Sequence, residues 1–174
     1  KDYFIQPYFG EKAKCKSCGS NTLVTKSGIL GVSEKDLNEI YNVMDVYCHP
    51  FTSGGQELPV QEAKAAGLIT LVTNYSCGSD SCFEEQGGLP LDWVEYREPF
   101  TQFIKATTCP DSINLNLQKV KDMPKEEKER ILENGRKHLA ENFCLLKIVD
   151  KLKDHLLKLG KTDWDFDFTD KFYN

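Results

Sequence analysis

Apolar and polar residues in the middle of the chain fall in the order strand, loop, helix, strand. An apolar run over residues 45–49 ends at His49-Pro50, and the polar, glycine-containing loop Thr52-Ser53-Gly54-Gly55-Gln56-Glu57 follows it. A helix begins near Leu58-Pro59, and a second apolar run, Leu68-Ile69-Thr70-Leu71-Val72, opens after Gly67. Short apolar runs separated by a helix-length segment predict a β-α-β unit. In such a unit the loop leaving the first strand lies at the carboxyl edge of the sheet, where open α/β sheets bind ligands. Gly54 and Gly55 lack a Cβ, so the backbone N–H groups of that loop can approach a ligand closely. Pro59 suits the first turn of a helix, and the free N–H groups and positive dipole end of that helix make a phosphate seat. Glu62, about one turn past Pro59, is placed to accept hydrogen bonds from ribose hydroxyls.

The flanking patterns extend this unit. Upstream, residues 3–5 and 22–25 read as short strands inside an otherwise irregular N-terminal segment or insertion, residues 1–29. Ser33 is a good N-cap; Glu34 and Asp36 suit the first turn, and Leu37, Ile40, Tyr41 and Met44 recur at helical spacing. Downstream, residues 73–80 form a second loop on the ligand edge, small and polar enough to contact a sugar or a base. Gly87-Gly88-Leu89-Pro90 reads as a turn, and residues 93–96 and 103–106 as strands, with Trp93, Tyr96, Phe100 and Phe103 assigned to the core. Three helices follow, over residues 111–123, 125–142 and 145–159. The second carries Glu126/Arg130 and Glu133/Lys137 in the favourable i,i+4 order, and the third stops at Gly160. His138 and His155 read as surface or packing residues, whereas His49 faces the ligand edge with no partner the sequence can name. The tail, residues 161–174, alternates aromatic and acidic residues.

Composition narrows the picture. The 174 residues, 40% hydrophobic and 28% charged, suit one globular domain able to bury a sizeable core. A net charge of −5 with no basic stripe argues against nucleic acid as the main partner. No apolar run approaches the roughly 20 residues needed to span a bilayer, and no signal peptide is present, which predicts a cytoplasmic protein. Lys1 is not a natural start, so the chain reads as part of a longer one. In that compartment the glycosylation sequon Asn74-Tyr75-Ser76 is idle. Seven cysteines are then best read as mostly reduced thiols. Cys15-Lys16-Ser17-Cys18 has metal-knuckle spacing and Cys77/Cys82 is a second possible pair, but one knuckle predicts folding without stoichiometric zinc.

The central residues also carry a resemblance. Asp45-Val46 through Pro50, the Gly-rich loop, Leu58-Pro59-Val60-Gln61-Glu62-Ala63, Ala65-Ala66-Gly67 and the strand after it resemble the donor-nucleotide motif of GT-B glycosyltransferases, specifically the retaining family 4. The likeness covers roughly residues 30–159, and Leu-Pro-x-x-Glu-Ala is its most specific part. It implies an α/β fold, a three-layer Rossmann-like parallel sheet of the GT-B donor-domain type with a helical C-terminus. The chain is then a single domain, with residues 30–160 as the donor-binding core. Its implied role is to bind the donor while a hexose moves from a UDP-sugar or GDP-sugar to a carbohydrate or other hydroxyl acceptor. Gly54, Gly55, Gln56, Glu57 and Leu58 would line the donor pocket, and Glu62 would anchor ribose. Such enzymes generally need neither bound metal nor other cofactor. The acceptor-side base belongs to a missing N-terminal domain, so this chain alone is expected to be inactive. Family members usually place two glutamates with seven residues between them, and the first would fall at Gly54; Glu57 is the candidate to replace it. A non-catalytic nucleotide-sugar-binding module and a sugar-nucleotide epimerase are the alternative readings.

Overall fold

A computed structural model describes residues 31–159 and, before them, the two-residue strands β1 (Tyr3–Phe4) and β2 (Val24–Thr25), which pair in parallel. The remaining expectations for residues 1–29, including Cys15 and Cys18, and those for the tail lie outside the described residues. The β-α-β unit is present as β3 (Val46–His49), α2 (Leu58–Ala65) and β4 (Ile69–Thr73). β3 and β4 run parallel, in register from Val46↔Ile69 to His49↔Val72. Helix α1 (Glu34–Asn42) precedes them, and Ser33 caps it, its Oγ accepting the Asp36 N–H at 3.1 Å.

Gly87-Gly88-Leu89-Pro90 is not a turn. Gly88–Leu91 is a third strand, β5, parallel to β4 in the order β3-β4-β5. Leu89 and Leu91 alternate onto one face and are almost fully buried, so strand pairing wins over the local turn preference of glycine and proline. Pro90 has no N–H to donate, which a strand at the end of the described sheet tolerates.

Pleating sorts the strand residues onto two faces. On one, Val46, Cys48, Ile69, Leu71, Leu89 and Leu91 pack against Val120 and Met123, at the end of α3 (Pro110–Asp122), and against Ile131 of α4 (Lys125–Asn142). On the other, Tyr47 and Val72 meet Val60 of α2 and the buried Cys82. Beside them Ala63 and Leu68 pack on Tyr41 and Leu37 of α1. Helices therefore cover both faces of a small parallel sheet, and the chain is α/β with a C-terminal helix, α5 (Leu145–Lys158). The short 3₁₀ turns Ser76–Asp80 and Glu84–Gln86 lie between β4 and β5.

The two remaining strands, β6 (Trp93–Arg97) and β7 (Ile104–Thr108), make a separate antiparallel hairpin rather than closing the edge of the parallel sheet. It is tied to the ligand-edge loops: the Ala106 N–H donates to Thr52 O at 3.0 Å, Trp93 Nε1 to Asn74 O at 2.6 Å, and the Tyr75 hydroxyl to Ile104 O at 2.8 Å. Its aromatics are not core as expected. Trp93 and Tyr96 are half-buried, and Phe100 and Phe103 are exposed, because the connecting turn, with Phe100 at φ 72° and Gln102 at φ 60°, projects them beyond the packed layers.

The expected charge ladder on α4 is also rearranged. Arg130 pairs with Glu84 at 2.9 Å, beside Lys119 on the same carboxylate at 2.9 Å, and Glu133 meets Arg136 at i,i+3. Two cations converging on one half-buried carboxylate outcompete a single exposed i,i+4 pair worth about 0.3–0.5 kcal/mol. The hydrogen bonds from Lys119 and Arg130 hold the Glu84 carboxyl below its ordinary range.

α4 approaches the start of β5 through two glycines. A Cβ on Gly87, at φ 85°, would fall 2.3 Å from the Gly135 Cα, whereas one on Gly135 would lie 3.2 Å from the Gly87 Cα. Gly87→Ala combines a left-handed backbone with a backbone clash and should destabilise by about 2 kcal/mol or more. Gly135→Ala regains up to about 1 kcal/mol of helix propensity against a milder contact. Urea titration of both variants should place Gly87→Ala well below Gly135→Ala; equal midpoints would mean this crossing is not close-packed.

Candidate functional site

The loops leaving β3 and β4 meet at the carboxyl edge of the sheet. Ser76, held at φ 53°, donates from Oγ to Gly54 O at 2.8 Å, and the Phe51 N–H donates to Thr73 Oγ1 at 3.1 Å, so the two loops are laced together. Gly78 sits so tightly on Phe51 and Thr73 that a Cβ there would lie 2.2 Å from Thr73 O. Beside the start of α2 these loops leave a cleft of about 200 Å³. Gly55, Gln56 and Glu57 line it from the first loop, and Cys77, Gly78, Asp80 and Ser81 from the second, with Phe143 closing it from the end of α4.

Sequence reasoning left His49 without a partner, and the structure supplies one. His49 Nε2 lies 2.8 Å from Glu57 Oε2, with both side chains about four-fifths buried (20% and 23% exposed). The Tyr47 hydroxyl lies 3.4 Å from His49 Nδ1. Burial, together with the Glu62 and Glu57 charges, pushes the Tyr47 hydroxyl above its ordinary range, so it remains a donor. In the tautomer that protonates Nε2, His49 donates to Glu57 while its Nδ1 accepts from Tyr47. Tyr47, His49 and Phe51 are alternate residues of one strand and its extension; the Tyr47 and His49 rings stack at 5.7 Å, and Phe51 lies tilted against His49 at 5.4 Å. That period-2 spacing was the available signal; the loop's return over the strand, which brings Glu57 to His49, was not visible.

The arrangement leaves Glu57 Oε1 to accept hydrogen bonds from a ligand. Its position bears on the missing loop glutamate. A Cβ built on Gly54 would fall 1.9 Å from Glu57 Oε1, so this carboxylate fills the space a side chain at position 54 would enter. Gly54 itself contributes its carbonyl to the Ser76 bond.

The other expected site residues are not all in the cleft. Gly54, whose side-chain space Glu57 fills, and Leu58, which is 58% exposed, do not line the cleft. Glu62 lines a neighbouring groove of about 480 Å³ with Gln61, Ala65, Arg136, Leu139 and Phe143; Gln61 and Phe143 border both spaces. The Tyr41 hydroxyl donates to Glu62 Oε2 at 2.9 Å, and burial with that bond pushes its own pKa up. Cys77 and Cys82 are separate free thiols, Cys82 fully buried with Sγ 3.5 Å from Asn74 Oδ1. Among the described residues no three His, Cys, Asp or Glu side chains converge as a metal site, and no helix is long and apolar enough to cross a membrane. His155 is exposed; His138 is half-buried against Phe143, with burial and the Lys64 cation holding its imidazole below the usual range. Comparisons of the chain with protein-family profiles, curated proteins and solved structures return no significant match.

Behind the cleft lies a residue that sequence reasoning passed over. Lys64 of α2 is 1% exposed, and its Nζ donates to Ser81 O at 2.5 Å. The bond ties α2 to the second loop. Burial lowers the Lys64 pKa to about 8 from 10.5. Below pH 8 both folded and unfolded chains carry the charge, and folding bears its desolvation. Between about pH 8 and 10.5 the folded chain releases the proton first, so stability gains relative to a Lys64→Met variant by up to about 3 kcal/mol. Cys82, pushed up to about 11 by burial, acts in the opposite sense but is present in both proteins. Denaturant titrations at pH 7 and pH 10 should show the difference between parent and variant moving in the parent's favour at the higher pH. A constant difference would mean the ammonium is solvated.

Proposed function

We propose that the chain is the donor-nucleotide-binding part of a GT-B, family 4-like retaining glycosyltransferase. In this reading it holds a UDP-sugar or GDP-sugar while a hexose passes to a hydroxyl acceptor presented by an N-terminal domain. One observation carries the proposal: Glu57, held by His49 at 2.8 Å, fills the side-chain space of Gly54, where the family's first glutamate would stand. The order of strand, Gly-Gly loop and proline-started helix supports it. So does a cleft at the carboxyl edge of a parallel sheet, the usual ligand position in open α/β folds.

The roles follow from chemistry. The Gly55 backbone and the Leu58 N–H at the start of α2, which no side chain caps, face the diphosphate in this reading, whose charge develops as the sugar bond breaks. Glu57 accepts hydrogen bonds from sugar hydroxyls through Oε1. Glu62, in the adjoining groove and oriented by Tyr41, accepts those of ribose.

Calorimetric titration with UDP, GDP and their hexose conjugates separates these roles. Glu62→Ala should weaken nucleotide and nucleotide sugar alike by about tenfold or more, since a hydrogen bond to a charged group contributes about 1.5–3 kcal/mol. Glu57→Ala should weaken the nucleotide sugar while leaving the free nucleotide little changed. Tyr41→Phe controls for loss of the Tyr41 bond alone. Absence of saturable binding by either nucleotide, or equal affinities in all variants, overturns the reading. Binding without turnover once the acceptor domain is supplied would favour the non-catalytic alternative.

A further inference from the structure

α5 follows α4 directly, and none of its residues is buried. Its apolar side chains range from 41% exposed at Ile148 to 75% at Leu146, so a whole helix face lies uncovered among the described residues. With about 100° of turn per residue, Leu145, Ile148, Val149, Leu152, Leu156 and Leu159 share an arc of about 100°. Leu146 and Leu157 widen that face on one side.

The charges are not scattered over the remaining surface. Lys151 and His155 flank one edge of the apolar arc and Lys153 the other, while Asp150 and Asp154 sit on the opposite side with Lys147 and Lys158. Cations flanking an apolar arc are an arrangement a bilayer selects. Lysine stems lie along the apolar zone with their ammonium groups at the headgroups, and acids stay in water. The helix carries four lysines and two aspartates on a chain of net charge −5, so the local excess of cations opposes the overall sign. Fourteen residues are too short to span a bilayer but suffice to lie on one.

We infer that α5 is a membrane-surface helix that lays its apolar face on an anionic lipid bilayer. The uncovered leucines supply the insertion, and Lys151 and Lys153 supply the preference for negative headgroups. This inference is independent of what the cleft binds.

Co-sedimentation of the full chain with vesicles tests it, comparing 30% phosphatidylserine in phosphatidylcholine with phosphatidylcholine alone. Binding to the anionic vesicles should exceed that to neutral ones by about tenfold or more. Leu152→Glu with Leu156→Glu, and separately Lys151→Glu with Lys153→Glu, should each lower binding to anionic vesicles by about tenfold. No α5 residue is buried, so both double variants should keep the parent's thermal midpoint, which circular dichroism checks. No binding to anionic vesicles overturns the inference, as does binding indifferent to the leucine changes. A dimer at micromolar concentration that the leucine changes dissolve, without vesicle binding, would assign the face to a second copy of the chain instead.

Discussion

Burial of β4 on every side is the constraint from which the site descends. All five of its residues, Ile69–Thr73, are buried, and it pairs in parallel with β3 on one side and β5 on the other. Parallel neighbours must end at the same edge, so the loops after β3 and β4 emerge together. Nothing in either loop needs to be strongly structured on its own. The Ser76 to Gly54 and Phe51 to Thr73 bonds then lace two segments that the strands have already brought side by side. A slip of one residue in the β3/β4 register would exchange Cys48 for His49 between the faces and withdraw the imidazole from Glu57.

Lys64 shows the same dependence from behind. A fully buried ammonium with one carbonyl acceptor is costly, and its bond to Ser81 spans α2 and the second loop. Ser81 and Asp80 line the cleft, so the position of the cleft wall is tied to a helix residue that has no contact with the cleft itself. Cys82, the next residue along, is buried beside Val60 and Val72, which anchors the same stretch through packing. The end of the loop at Ser81-Cys82 is thus held by a polar contact and by apolar packing.

Much of this was legible in the chain. The β3-α2-β4 order, the Ser33 cap and the α4 boundaries, Lys125–Asn142, follow from local patterns that the tertiary structure does not oppose. Where long-range contacts override local preference, sequence reasoning failed. Gly88 and Pro90 favour a turn, but Leu89 and Leu91 find a complete apolar face only when they pair with β4. Phe100 and Phe103 carry core-like side chains that the hairpin turns outward. Arg130 left its helical neighbour for Glu84, 46 residues away in sequence. In the cleft, Gly55, Gln56 and Glu57 were identifiable because loop composition marks them. Phe143 and the His49–Glu57 contact depend on chain reversals that leave no periodic trace.

The position of Glu57 joins two features that look unrelated. It occupies the N-cap of α2 at φ −94° and ψ 85°, yet its side chain makes no capping bond. Glu57 instead directs one oxygen to His49 and the other into the volume that Gly54 leaves open. Pro59 has no N–H and the Val60 N–H donates to Glu57 O at 3.1 Å, so the Leu58 N–H is the first-turn donor that no N-cap side chain engages. A ligand reaching this edge would therefore meet a carboxylate that accepts from its hydroxyls beside the start of α2. Moving the acid back to position 54 would require Glu57 to give up its place.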